Sequence, residues 1–267
     1  MGLADFDKRE VAQAVLAQRT RTVALLESLD ESTWEAEVVP GWRVREVAAH
    51  LITTDEGAVT GRLMRLGLTQ RPMSEIEAWN EEQVGRWADR PIPSLVQALE
   101  KWGTRLSRLA RRTPGIVARR SLPTPLGTVS LLWLAMLRVY DEWVHGEDVR
   151  RAVGRPSDDA PTSVEPVARQ LLAALPLQTL PLISPAATGT VTLRFSDLDL
   201  PSVGFDLGEQ RYGTTITGGS TIVAAAAPFV MVAAHRDPWR DAEAAGALKI
   251  EGDREAAETF LDALTVI

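Results

Sequence analysis

TVSLLWLAMLRVYDEWVHGEDVRRAVGRP, residues 128–156, is a long helical stretch with a strongly apolar first half and decides the reading of the first part of the chain. Leucine, tryptophan, methionine, valine and alanine fill its N-terminal half with almost no polar break, the pattern of a helix covered on most sides. Gly154 followed by Pro156 closes it in the order usual just past a helix C-terminus. A helix so apolar needs other helices around it, and the sequence upstream supplies them. Residues 7–29 carry Val11, Val15, Leu16, Val23, Leu25 and Leu26 near helical spacing. Residues 44–66 present Val44, Val47, Ala48, Leu51 and Ile52 on one predicted face, and residues 74–88 and 93–109 complete the set. Asp30-Glu31-Ser32-Thr33, Pro40-Gly41-Trp42, Thr113-Pro114-Gly115 and Pro123-Thr124-Pro125 punctuate the chain between them. Four long helices and one short one therefore predict a helical bundle.

Past Pro156 the composition changes. Residues 157–166 read as a linker and 164–175 as a helix. In residues 188–195, Val191, Leu193 and Phe195 alternate with Thr190, Thr192 and Arg194, a half-buried strand. Residues 203–207 and 211–217 read as further strands, 224–236 as a helix, 248–251 as a short strand and 254–264 as a final helix. The expected organisation is a bundle over residues 1–156 and a smaller α+β domain over residues 157–267.

Length and composition narrow the function. The chain has 267 residues, 45% hydrophobic and 24% charged, with a formal net charge of -7. That balance suits a globular protein and disfavours a general nucleic-acid binder, which needs a basic surface for phosphates. Arg111, Arg112, Arg119 and Arg120 form a local basic cluster that a solvated helix end explains. Residues 1–9 lack the apolar core of a signal peptide, and the apolar run at residues 129–137 contains Ser130 and stops at Arg138, far short of a membrane span. No membrane association and a cytoplasmic location are the expectation. With no cysteine, disulfides and protein thiolates are excluded, so thiol chemistry would need a thiol cosubstrate.

Only three histidines occur, His50, His145 and His235. His50 sits among small and apolar neighbours on the second long helix, and His145 near the end of the apolar one. Asp141 and His145 are four apart, a rotation of roughly 400°, so they project from one face about 6 Å apart along the axis. Two imidazoles and a carboxylate from facing helices can hold a divalent metal and leave a coordination position open. The same spacing also suits an ordinary surface Asp–His pair, and His50 a core histidine with satisfied nitrogens. Glu142, Glu147 and Asp148 compete with Asp141 for the carboxylate position; Glu142, three before His145, shares its face, so spacing alone prefers Asp141 only slightly. Residues 123–127 make no phosphate loop, residues 204–208 no dinucleotide fingerprint, and no nucleophile elbow is present. Trp34, Trp42, Trp133 and Trp143 are expected to pack the bundle.

Two phrases carry a resemblance. VPGWRVREVAAHL, residues 39–51, and RVYDEWVHGEDVRRAVG, residues 138–154, together resemble the signatures of the actinobacterial maleylpyruvate isomerase family, whose members use mycothiol. The resemblance implies a DinB-like four-helix bundle followed by a sterol-carrier-like α+β domain. It also implies Zn2+ or another divalent metal on His50, Asp141 and His145, and mycothiol as cosubstrate. Arg236, at the end of a predicted helix, is the positional match for the family's catalytic arginine; His235 beside it reads as a helix-terminal histidine favoured by the dipole. The carboxylate in the isomerases is usually glutamate, and here it is aspartate. That departure leaves the ligand set intact and loosens the tie to isomerisation itself. The implied function is a thiol-dependent isomerase or S-transferase acting on a small electrophilic substrate. The alternative is a non-catalytic metal-containing module that binds an apolar ligand or a protein partner.

Overall fold

A computed structural model describes residues 3–68 and 72–266, and the chain divides into two compact units. One unit comprises residues 6–158; residues 159–266 form the other, with residues 3–5 grouped with it.

The first unit is helical. It runs α1 (Lys8–Glu27), the short strands β1 (Glu37–Val39) and β2 (Trp42–Arg43), α2 (Val44–Thr60), α3 (Arg62–Leu68), α4 (Met73–Trp87), α5 (Ile92–Arg112), the single turn α6 (Gly115–Ala118), β3 (Leu122–Thr124), β4 (Gly127–Val129) and α7 (Leu131–Ala152). The local chemistry explains the starts. The Asp7 carboxylate accepts from the backbone N–H groups of Arg9 and Glu10, the Ser130 hydroxyl accepts from Trp133 N–H, and Glu46 reaches back to the Arg43 N–H. Helix α1 packs on α5 and α7, and α2 packs on α5 and α4. Leu25, Leu26, Trp34, Val47, Leu51, Ile52, Leu95 and Leu99 form the shared core. Helix α7 is buried nearly all round, as its composition predicts, with Trp133 and Trp143 each 1% exposed.

Several expected boundaries move. The helix expected over 44–66 stops at Thr60, because Gly61 turns left-handed at φ +75° and the chain restarts as α3. The helix expected from residue 128 begins at Leu131; Gly127–Val129 is instead a strand in a hairpin with Leu122–Thr124. Ser157 and Asp158 remain with the bundle, because Ser157 Oγ and Asp158 N–H both donate to Glu147.

The second unit contains α8 (Pro161–Gln178), β5 (Thr190–Phe195), β6 (Val203–Asp206), β7 (Arg211–Gly213), β8 (Ser220–Ala224), α9 (Ala226–Ala233), α10 (Trp239–Ala244), β9 (Leu248–Gly252) and α11 (Arg254–Asp262). The segment expected as linker up to residue 166 is already helical from Pro161, a residue favoured in the first turn. The strands make one five-stranded sheet in the order β7-β6-β5-β8-β9. β5 and β8 are parallel and every other pair is antiparallel. Strand β5 shows the predicted alternation, with Val191, Leu193 and Phe195 buried. β8 and α10 are absent from the sequence reading. Ser220–Ala224 is rich in β-branched residues, but the helical run that follows it and the Gly218-Gly219 turn before it masked a five-residue strand. Helices α8 and α10 flank α9, and α11 lies against β5, β8 and β9. Phe195 meets Phe229 edge-on at 6.0 Å, and Phe205 lies 4.8 Å from Phe260. Residues 159–266 are thus an α+β unit and residues 6–158 a helical one, the fold class expected.

Candidate metal centre

His50 lies on α2, Asp141 and His145 on α7, and the packing of the bundle brings them together. One ligand-type atom from each of the three lies within 4.8 Å of the other two, and no other such group of three occurs among the described residues. His50 Nε2 is 3.4 Å from Asp141 Oδ2, and His145 Nε2 is 3.8 Å from Asp141 Oδ1. Tetrahedral bonds of about 2.0–2.1 Å place ligand atoms roughly 3.4 Å apart, so a small closure about one ion satisfies the set.

The outer contacts leave the right nitrogens for that purpose. His50 Nδ1 meets Asn80 Oδ1 of α4 at 3.0 Å, which leaves its buried Nε2 without a hydrogen-bond partner. His145 Nδ1 stands 3.2 Å from Asp148 Oδ2, an electrostatic contact not aligned as a hydrogen bond. Ligating histidines are commonly oriented through their second nitrogen by an amide or carboxylate in this way. A buried ring nitrogen with no partner, facing a carboxylate and a second imidazole, is what a shared cation would satisfy. The rings of His50 and His145 are 4.9 Å apart and nearly perpendicular. Trp42 covers both, at 5.1 and 6.1 Å, with its Nε1–H donating to Glu81. Trp42 packs on the bundle core, as expected of it, and its half-buried ring also walls this cluster.

Electrostatics favour the ligand forms. Burial lowers the His50 pKa below its ordinary value against the opposing pull of Asp141, which favours the neutral ring. Burial would raise the Asp141 pKa, but Arg138, His50 and His145 outweigh it and hold the carboxyl well below the usual range. The Asp141 side chain is 24% exposed, so the cluster reaches solvent on its carboxylate side.

Glu142 goes elsewhere. It is buried against α1, where Arg19 Nη2 donates to its Oε2 at 2.9 Å, and burial raises its pKa despite that partner. Arg19 Nη2 also donates to Asp55 Oδ2 at 2.6 Å, and Arg19 Nη1 to the Leu99 carbonyl at 3.1 Å. Arg138 Nε donates to Asp55 Oδ1 at 3.1 Å and its Nη1 to Asp141 Oδ2 at 2.6 Å. A chain of alternating charges thus runs from Glu142 to the cluster. None of Arg19, Asp55, Asn80 or Arg138 emerges from the sequence as a site residue, and Asp148, a competitor to Asp141 by position, stands beside His145 Nδ1 instead. Arg138, three before Asp141 on one helix, carried a local signal.

Arg236 belongs to the second unit. Its N–H bonds the Met231 carbonyl and the His235 N–H that of Val232, the paired bonds that close α9. Its exposed side chain donates through Nη1 to the Ala234 carbonyl. His235 occupies the left-handed position of this cap at φ +57°, where glycine is usual, and its Nε2 meets Thr265 Oγ1 at 2.8 Å. Its placement thus follows from the cap and the C-terminal tail as well as from any dipole.

The fold and this cluster define a class: a helical bundle carrying a His–Asp–His group with both imidazoles buried, followed in the chain by an α+β unit. Residues 15–150, which hold all three side chains, match the family described as the mycothiol maleylpyruvate isomerase N-terminal domain. The chain belongs to that family. No curated protein matches it. A crystal structure of a mycothiol-dependent maleylpyruvate isomerase is 18% identical, covering 89% of this chain and 92% of its own at a TM-score of 0.60. A mutant of an enzyme so described is 17% identical, covering 94% and 95% at 0.61. A sterol carrier protein-2 like-3 from Aedes aegypti is 16% identical over 35% of this chain and 92% of its own, at 0.29. The first two share the fold across both units.

Proposed function

We propose that this protein is a metal- and thiol-dependent isomerase or S-transferase for a small electrophilic substrate, with mycothiol as the thiol. The observation that carries the proposal is the convergence of His50, Asp141 and His145 around a buried, unpartnered Nε2. In this proposal those three residues hold one divalent ion, zinc being suited to two imidazoles and a carboxylate. When bound there, such an ion supplies Lewis acidity that lowers the pKa of an added thiol toward neutrality.

The chain's own residues do the rest. Asn80 holds the His50 ring through Nδ1 and Asp148 stands beside His145 Nδ1, which leaves both Nε2 atoms on the Asp141 side. Trp42 shields the rings from water on one side, while the partly exposed Asp141 marks the side open to small molecules. Because the chain has no cysteine, the nucleophile comes from the cosubstrate. Addition of a thiolate to an activated double bond, rotation about the resulting single bond and elimination would isomerise the substrate; retention of the adduct would be transfer. Arg236 enters as the guanidinium for a substrate carboxylate, a pairing its planar fork suits. Three protein ligands with no fourth among the described residues, and a solvent-facing carboxylate, favour catalysis over a sealed structural ion.

The test is elemental analysis of the purified protein, followed by a mycothiol-dependent isomerisation and conjugation screen. His50→Ala is expected to lose both metal and activity. Arg236→Ala is expected to keep its metal and raise KM for carboxylate substrates. Undiminished turnover in a metal-free His50→Ala protein would dispose of the proposal.

A further inference from the structure

Five ionisable side chains run in sequence through the bundle: Glu142, Arg19, Asp55, Arg138 and Asp141. The first four are 8% exposed or less. They come from three helices, with Arg19 on α1, Asp55 on α2 and the others on α7, and Arg19 also grips the Leu99 carbonyl on α5. Burying such charges costs more than packing apolar side chains of the same volume, so stability alone accounts poorly for the arrangement. The packing makes special room for it. A Cβ on Gly103 would lie 2.6 Å from Arg19 Cγ, so α5 carries a glycine where Arg19 passes.

The proposed metal reading uses only Asp141 from this chain. Arg138 is the link between the rest and that carboxylate. Its guanidinium is clamped at Nε by Asp55 and reaches Asp141 through Nη1, while Asp55 is held at its other oxygen by Arg19. An aspartate carboxylate on a helix surface otherwise rotates about two side-chain bonds. Here a cation anchored by two further helices holds it on the side facing His50 and His145.

We infer that Arg138 is a positioning residue for Asp141, with Asp55 and Arg19 fixing Arg138 in turn, so that metal affinity is set in part by side chains that touch no metal. This rests on the proposal that Asp141 is a ligand.

Two effects of Arg138 oppose each other, and their signs separate the possibilities. As a nearby positive charge it disfavours a divalent cation, so its removal should tighten binding. As a support for Asp141 it favours binding, so its removal should weaken it. Outer-shell partners of ligands typically carry about 10- to 100-fold in affinity, and the rigid anchoring through Asp55 argues that support dominates here. Arg138→Lys keeps the charge but lacks the planar fork that bridges two carboxylates, so it loses support without the electrostatic gain.

The experiment is a competition titration of the full-length protein with zinc against a chromophoric chelator, for wild type, Arg138→Gln and Arg138→Lys. Thermal melts of each metal-free protein are recorded alongside. Both variants are expected to bind zinc about 10- to 100-fold more weakly. A purely structural role would lower the metal-free melting temperature and leave affinity where it was. Unchanged or tighter binding by Arg138→Gln overturns the inference while leaving the metal reading intact; if that variant does not fold, Arg138→Lys decides by the same criterion. Wild-type protein that binds no zinc removes the metal reading, and the positioning role falls with it.

Discussion

At the scale of single residues, the same side-chain types serve very different ends according to what surrounds them. Asp141 and Glu142 are adjacent acids on one helix; one faces two imidazoles and the other a buried arginine. Asp30 shows the exposed extreme. Its carboxylate accepts from the Ser32 and Thr33 hydroxyls and the Thr33 N–H, and these bonds bring its pKa from 3.8 to about 2. A folded pKa below the unfolded one means that the contribution to stability is present above the unfolded value and is lost as pH falls toward the folded value. Asp30→Asn, a mimic of the protonated form, is therefore expected to melt below wild type at neutral pH. The gap between the two should narrow below about pH 4. A gap that stays constant between neutral and acid pH would show that the turn does not depend on the charge.

At the scale of elements, glycine marks where one backbone approaches another. Gly204 in β6 leaves no room for a side chain: a Cβ there would lie 2.0 Å from the Ile216 carbonyl oxygen, a backbone atom that cannot step aside alone. Gly213 in the neighbouring β7 has nothing within 4 Å of the same position. Gly204→Ala is expected to destabilise the protein by roughly 1–3 kcal/mol or more, the cost of overpacking. Gly213→Ala should cost far less, and urea unfolding of the two proteins measures the difference. Equal losses would mean that the crossing of residue 216 over β6 is not fixed. The helices obey the same local logic at their ends. Ser130 starts α7 and Gly61 ends α2, and each is a residue whose capping chemistry is readable one position at a time.

At the scale of the whole molecule, the absence of cysteine yields a prediction that no single site does. In the proposed reaction every reactive sulfur arrives with the cosubstrate, so protein treated with iodoacetamide and freed of reagent should retain the full proposed activity. Loss of activity after that treatment would point to an alkylated side chain other than cysteine in the reaction. The bundle, the α+β half and the pairing of Asp141 with His145 on one face were legible in the sequence, because helical and strand periods are local and recur within a few residues. Strand β8 was not, because a short strand between a Gly-Gly turn and a helical alanine run gains its identity from β5 and β9 on either side. Helical spacing alone did not settle the choice between Asp141 and Glu142, which the family resemblance put on Asp141. Both lie within one turn of His145, and what separates them is how α1 and α2 are rotated against α7, which carries Arg19 to one carboxylate and His50 to the other. By itself the sequence determined which residues share a helix face. Only the tertiary structure decided which faces meet, because the rotation of a packed helix about its axis is set by contacts with residues far away in the chain.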